Sequence, residues 1–226
     1  DQPPADNTKV YTKGDTIYPY TEMEHLWDEG FGYFGAARNY NDFSDDEIAA
    51  KGGKDDWQGA HDINGDGKID LKSEYNFGHS LNAAKRDLGT LGIEATDFTG
   101  DAFAAFLQGR HLITSAGGAL SADQLIELRT YADAAIEAWE KALAATVIHY
   151  INEVSAEMAK FGTLDYDFYS HAKHWSELKG FALILQFNHQ SPLHREQETH
   201  CYNRDGAKEI ETGLTQADCT SDATGI

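Results

Sequence analysis

Residues 121–162 read SADQLIELRTYADAAIEAWEKALAATVIHYINEVSAEMAKFG, and the reading of this stretch decides the fold class. Ser121-x-x-Gln124 has the form of a capping box, in which a hydroxyl and a side-chain amide satisfy free backbone amides at a helix start. Gly162 stands where a C-terminal cap belongs. Between them Leu125, Leu128, Ile136, Leu143, Val147, Ile151, Val154 and Met158 recur at helical spacing, which predicts one helix over 121–161. At about 1.5 Å per residue it is roughly 60 Å long. Its other side carries Ala135, Ala138, Ala142 and Ala145, small residues that suit close approach of a neighbouring helix.

A second helix follows over 165–187, with Phe168, Trp175, Leu178, Phe181, Ala182 and Leu185 along one side and Pro192 as the stop. So short a connection makes the two helices antiparallel neighbours. Upstream, Thr21-x-x-Glu24 is another capping box, opening a helix with Leu26, Trp27, Tyr33 and Phe34 that Gly30, Gly32 and Gly35 weaken and end. Residues 36–60 read as a long loop, and further helices are expected over 74–88 and 99–113. No strand is expected. The predicted fold is all-α, a helical bundle with long loops. An extended arm covers 1–20, the bundle covers 21–194, and an irregular polar tail covers 195–226.

The 226 residues hold 18 Lys and Arg against 38 Asp and Glu, a net charge of −20. A field of that sign repels nucleic acid and anionic lipid and attracts cations. No apolar run reaches about 18 residues, so no membrane span is expected. The opening at Asp1, polar and without an initiator Met, reads as a processed chain. The two cysteines, Cys201 and Cys219, close a polar loop in the tail and predict a disulfide, hence an extracytoplasmic compartment such as periplasm or cell surface.

The sharpest motif is Asp62-x-Asn64-x-Asp66-Gly67-Lys68-Ile69-Asp70, which matches the first nine positions of an EF-hand loop. Calcium takes six to eight oxygens, so short carboxylate and amide side chains at alternate positions point inward. Gly67 permits the sharp turn, Lys68 offers its carbonyl, and Ile69 anchors the loop. The twelfth position is Ser73, and the acid comes one place later at Glu74. Either the loop closes with a slight bulge that brings Glu74 to the ion, or Asp55 or Asp56 completes the shell. The expectation is a Ca2+ site of EF-hand type without a full helix-loop-helix pair, serving stability rather than switching.

Histidine and glutamate also recur one helical turn apart. These groups are His25 with Glu29, His149 with Glu153, and His171 and His174 with Glu177. Bundle proteins build transition-metal sites from residues so spaced. Counted from a turn near Thr163, Glu153 and His174 lie ten and eleven residues away, while His149 and Glu177 both lie fourteen away. The four therefore fall at matching heights on antiparallel helices. They read as a candidate second metal site for Fe, Cu or Zn, or as core histidines satisfied by nearby carboxylates. Zinc-peptidase, nucleophile-elbow, P-loop and dinucleotide motifs are all absent.

Three segments, EHLWDEGFGYFG at 24–35, IDLKSEYNFG at 69–78 and KHWSELKGF at 173–181, resemble a bacterial envelope family of unknown function related to the imelysins. The resemblance covers about residues 18–194. It implies a helical bundle of the periplasm or outer membrane linked to iron uptake. Imelysins carry a Gly-x-His-x-x-Glu motif proposed to bind metal. His174-x-x-Glu177 matches its core, with Ala172 where the motif has Gly.

The functional expectation is thus a non-enzymatic envelope protein, stabilised by calcium, that binds a metal or metal-containing ligand. The alternatives are a structural or protein-interaction module working with an envelope partner, and a metallohydrolase. The disulfide has a direct test: reduction should raise the intact mass by two hydrogens, and an unchanged mass excludes the bridge.

Overall fold

A computed structural model describes residues 6–50, 62, 64–89 and 96–188, with the backbone of two short strands beyond them. The chain divides into two compact units, 1–182 and 183–226.

The first unit begins with a hairpin, β1 (Val10–Lys13) and β2 (Thr16–Thr21), paired antiparallel so that Lys13 faces Thr16 and Thr12 faces Ile17. The extended stretch before residue 21 is therefore paired, and it is held to the helices. Asn7 is buried, donates to the carbonyls of Ile113 (3.0 Å) and Gly118 (2.6 Å), and accepts from the Thr21 hydroxyl (2.8 Å).

Thr21 then caps α1 (Glu22–Phe34). Its hydroxyl accepts from the Glu24 amide, and the Glu24 carboxylate accepts from the Thr21 amide at 2.8 Å. The helix runs through Gly30 and Gly32 and stops at Gly35, where φ is 89°. Only glycine suits that position, because the backbone is left-handed and a Cβ would overlap the Phe77 carbonyl. The region expected as one long loop contains a single helical turn at Tyr40–Asp42 and a short capped helix α2 (Asp45–Ala49). Helix α3 (His79–Asp87) starts five residues later than the predicted 74, because Asn76 and Phe77 bond to the chain after α1. Helices α4 (Phe98–Ala116) and α5 (Ala122–Met158) follow, the second opened by the Ser121 capping box.

The core lies where α1, α2, α3, α4 and the middle of α5 meet. Phe34, Tyr40, Phe43, Ile48, Ala83, Ala84, Ala102, Phe103, Ala138 and Ala142 form it, and Phe34 packs edge-on against Tyr40 and Trp139. Ala135, Ala138 and Ala142 are buried on the small-residue side of α5, which packs against α3 and α4. Close approach also governs the α1–α4 contact. Trp27 lies across Gly109, where a Cβ would overlap its ring, and its indole N–H donates to the Phe106 carbonyl at 2.8 Å.

Helix α6 (Phe168–Ile184) departs from expectation. None of its residues is fully buried. Phe168 and Trp175, expected inside, are 74% and 55% exposed. The half-buried residues include His171, His174, Glu177, Leu178 and Phe181. On the distal half of α5, Val154 is buried while Ile151 and Met158 are about half exposed. Of the predicted apolar stripes, Leu178, Phe181 and Val154 are thus covered while Phe168, Trp175, Ile151 and Met158 are not, and the facing surfaces of α5 and α6 carry a large polar share.

In the second unit, Leu185–Phe187 makes one further turn, and β3 (Cys201–Tyr202) pairs antiparallel with β4 (Lys208–Glu209). The Cys201–Cys219 bridge falls outside the described residues. Among the described residues no helix is long and apolar enough to cross a membrane.

The α1–α4 contact yields a stability prediction. Burial alone would raise the Glu24 carboxyl, but the Thr21 amide, the Thr114 hydroxyl and the Arg110 guanidinium together hold it below its ordinary value. Stability from a lowered carboxyl is present above its unfolded value, near pH 4.3, and is lost as pH falls through the folded one. Arg110→Ala should therefore cost about 1–3 kcal/mol at pH 7. Urea melts should show that deficit shrinking toward pH 3.

Candidate functional site

The acidic loop closes on itself through its own side chains. Asp62 accepts from the amides of Asp66 (3.0 Å) and Gly67 (2.8 Å), Asn64 from Asp66 (2.9 Å), and Asp66 from Lys68 (2.8 Å). Asp70 accepts from the Lys72 amide (2.9 Å) and the Ser73 hydroxyl (2.7 Å), and those two bonds hold its carboxyl below the ordinary range. Glu74, only 3% exposed, reaches back with both oxygens to the amides of Asn64 (3.1 Å) and Asp70 (2.9 Å). Of the two closures left open by the sequence, Glu74 is the one seen to span the loop. Asp55 and Asp56 lie outside the described residues. A carboxylate oxygen has two lone pairs, so accepting an amide leaves room to face a cation.

The His/Glu groups separate into three places. His25 Nε2 sits 3.1 Å from Glu29 Oε1 on α1, with the His25 ring stacked on Tyr11 of the hairpin at 3.6 Å. His171 lies by the α5–α6 turn, where its Nδ1 meets the Tyr166 hydroxyl at 3.1 Å and its ring packs on Phe161. His149, Glu153, His174 and Glu177 do come together, as their heights require. His174 Nδ1 is 4.0 Å from Glu153 Oε2, and the His149 ring feels Glu153, His174 and Glu177.

Two participants in this cluster escaped the sequence reading. Tyr150 lies between the helices, its ring 5.8 Å from Phe181 and 6.3 Å from His174. Burial, then the Glu177 carboxylate against its hydroxyl, pushes the phenol up. Arg86 comes from the last turn of α3. Burial lowers its guanidinium, and burial followed by the Arg86 charge lowers His149. No periodicity along α5 or α6 could point to an arginine some sixty residues upstream. Its half-buried place among aromatics and histidines shows only once the helices are packed.

Three atoms in this cluster are buried without a hydrogen-bond partner: Arg86 Nε, His174 Nδ1 and Glu177 Oε2. Buried polar atoms are ordinarily satisfied, because an unpaired one costs the full loss of its hydration. Among the described residues no three His, Cys, Asp or Glu side chains are gathered closely enough to hold a metal ion by themselves.

Compared with protein families, with curated proteins and with solved structures, the chain finds no match in any of the three.

A half-buried guanidinium with its buried Nε unmet is a stability defect that an apolar side chain of similar length relieves. Arg86→Met should raise the unfolding free energy of the ligand-free protein by about 1 kcal/mol. A loss of that size in urea melts would instead mark Arg86 as a structural partner.

Proposed function

We propose that the chain is a non-enzymatic protein of the extracytoplasmic space, braced by calcium at 62–74, that binds a metal-containing ligand between α5 and α6 in metal acquisition. The observation that carries this reading is the set of unpaired buried atoms on Arg86, His174 and Glu177. A bare divalent ion there would meet the Arg86 charge. A metal carried by an anionic organic ligand suits the group better, since its acid oxygens can accept from the guanidinium while metal or hydroxyl groups face His174 and Glu177. The imelysin-like His174-x-x-Glu177 points the same way. Calcium at the loop would draw on Asp62, Asn64, Asp66, Asp70 and Glu74 through side chains and on Lys68 through its carbonyl. Its contribution is to hold the loop and the segment leaving it.

The exposed outer residues of α6, Phe168 and Trp175, favour a second reading, an interaction module that meets another envelope protein.

Two measurements test the proposal. Chelation with EDTA should lower the melting temperature, and Glu74→Ala should remove that sensitivity. An EDTA-indifferent melt refutes the calcium brace. In calorimetry, ferric citrate should bind one to one, more tightly than citrate alone, and should lose binding in Arg86→Met and in His174→Ala. If iron, copper and zinc, free or as citrate complexes, all fail to bind, the metal-ligand reading falls.

A further inference from the structure

We propose that the cavity between α1 and α4 binds a small organic monocarboxylate with an aromatic or branched apolar body. This site shares no residue with the α5–α6 cluster and does not depend on it.

The cavity measures about 570 Å3, and its walls include Trp27, Phe31, Leu71, Phe77, Phe103 and Phe106. Sites for small molecules run to about 300–1,000 Å3 and are mostly apolar with a few placed polar groups. The placed groups here are unusual for a chain of net charge −20, because the lining carries three cations, Arg38, Lys72 and Arg110, and one acid, Asp28. Arg110 is already held, by Glu24 at 2.6 Å and Asp28 at 2.8 Å. Arg38 and Lys72 are exposed, and among the described residues neither forms an ion pair. Asp70 lies near enough to feel both, but it is not in the lining, and its oxygens accept from the Lys72 amide and the Ser73 hydroxyl.

Arg38 and Lys72 are also fixed relative to each other, since the Arg38 amide donates to the Lys72 carbonyl at 3.1 Å. Two side-chain cations thus rise from locked backbone positions at the mouth of an aromatic chamber. A carboxylate between them gains charge-assisted hydrogen bonds, while its apolar body displaces water from the ring faces. A neutral guest would use only the walls. A multiply charged one would leave charge facing Phe and Trp rings.

Gly32 supplies a clean means of closing the site. It lines the cavity, lies in the body of α1, and a Cβ there meets nothing within 4 Å. Leucine at this position starts from a Cβ that meets no neighbour, adds bulk to the cavity lining and favours the helix.

The test titrates the full chain with naphthalene-2-acetate and with its methyl ester, followed by calorimetry and by tryptophan fluorescence. The acid should bind one to one and about tenfold or more tighter than the ester, the effect expected of hydrogen bonds to a charged group. Arg38→Gln with Lys72→Gln should abolish that preference and leave ester binding unchanged. Gly32→Leu should remove binding of both while its thermal melt is kept or raised, and Arg86→Met should change neither. The proposal is overturned if the acid does not bind at millimolar concentration, if acid and ester bind equally to the unaltered chain, or if Gly32→Leu binds undiminished.

Discussion

The turn that follows α1 cannot satisfy its own backbone, and a segment about forty residues downstream does it instead. The Gly35 carbonyl accepts from the Phe77 amide at 3.0 Å and from the Ser80 hydroxyl at 3.0 Å. The Ala37 amide donates to the side chain of Asn76, which is wholly buried. Two stretches far apart in sequence are thereby laid side by side at the edge of the core, and buried polar groups in this position tolerate no slippage. The direction of α3 follows from this seam, as does the path by which the acidic loop leaves Glu74. So does the aromatic chamber, since Leu71, Lys72 and Phe77 form one of its walls.

What could be read from the chain beforehand was mostly local. The capping boxes at Thr21 and Ser121 are four-residue signals that need no tertiary context, and both stand as hydrogen-bonded pairs. The hairpin was also written locally, as β-branched and aromatic residues on either side of Gly14-Asp15, but Pro19 and the short length obscured it. The start of α3 was misplaced because Tyr75, Asn76 and Phe77 look compatible with a helix. Only the far partner at 35–37 reveals why they are not in one. The face of α6 was misjudged for a similar reason. The pattern places Phe168 and Trp175 on one apolar side with Leu178 and Phe181, but only the part of that side shared with His171 and His174 is half-buried, and the other two rings are left outside.

Charge shows the same division between composition and placement. The chain carries a large acidic excess, yet four of its cations occupy distinct situations. Arg110 is clasped by two carboxylates and joins α1 to α4. Arg86 is half sunk among aromatics and histidines with its Nε unmet. Arg38 and Lys72 stand at an apolar mouth, aligned by their own backbones. Net charge predicts which partners a surface turns away. Where the minority sign collects says more about what the molecule admits.

The way α6 is fastened has a mechanical consequence. It lies on α5 through a few rings and polar side chains, has no residue sealed from solvent, and leaves Phe168 and Trp175 facing outward. Little apolar area holds it down, so lifting it exposes far less than unfolding the core does, and such elements sit at the low end of a protein's ladder of opening energies. Local opening of this helix therefore costs less than opening the packing among α1 through α4. A guest held beneath it would escape at a rate set by that motion, independent of how firmly the rest of the fold is built.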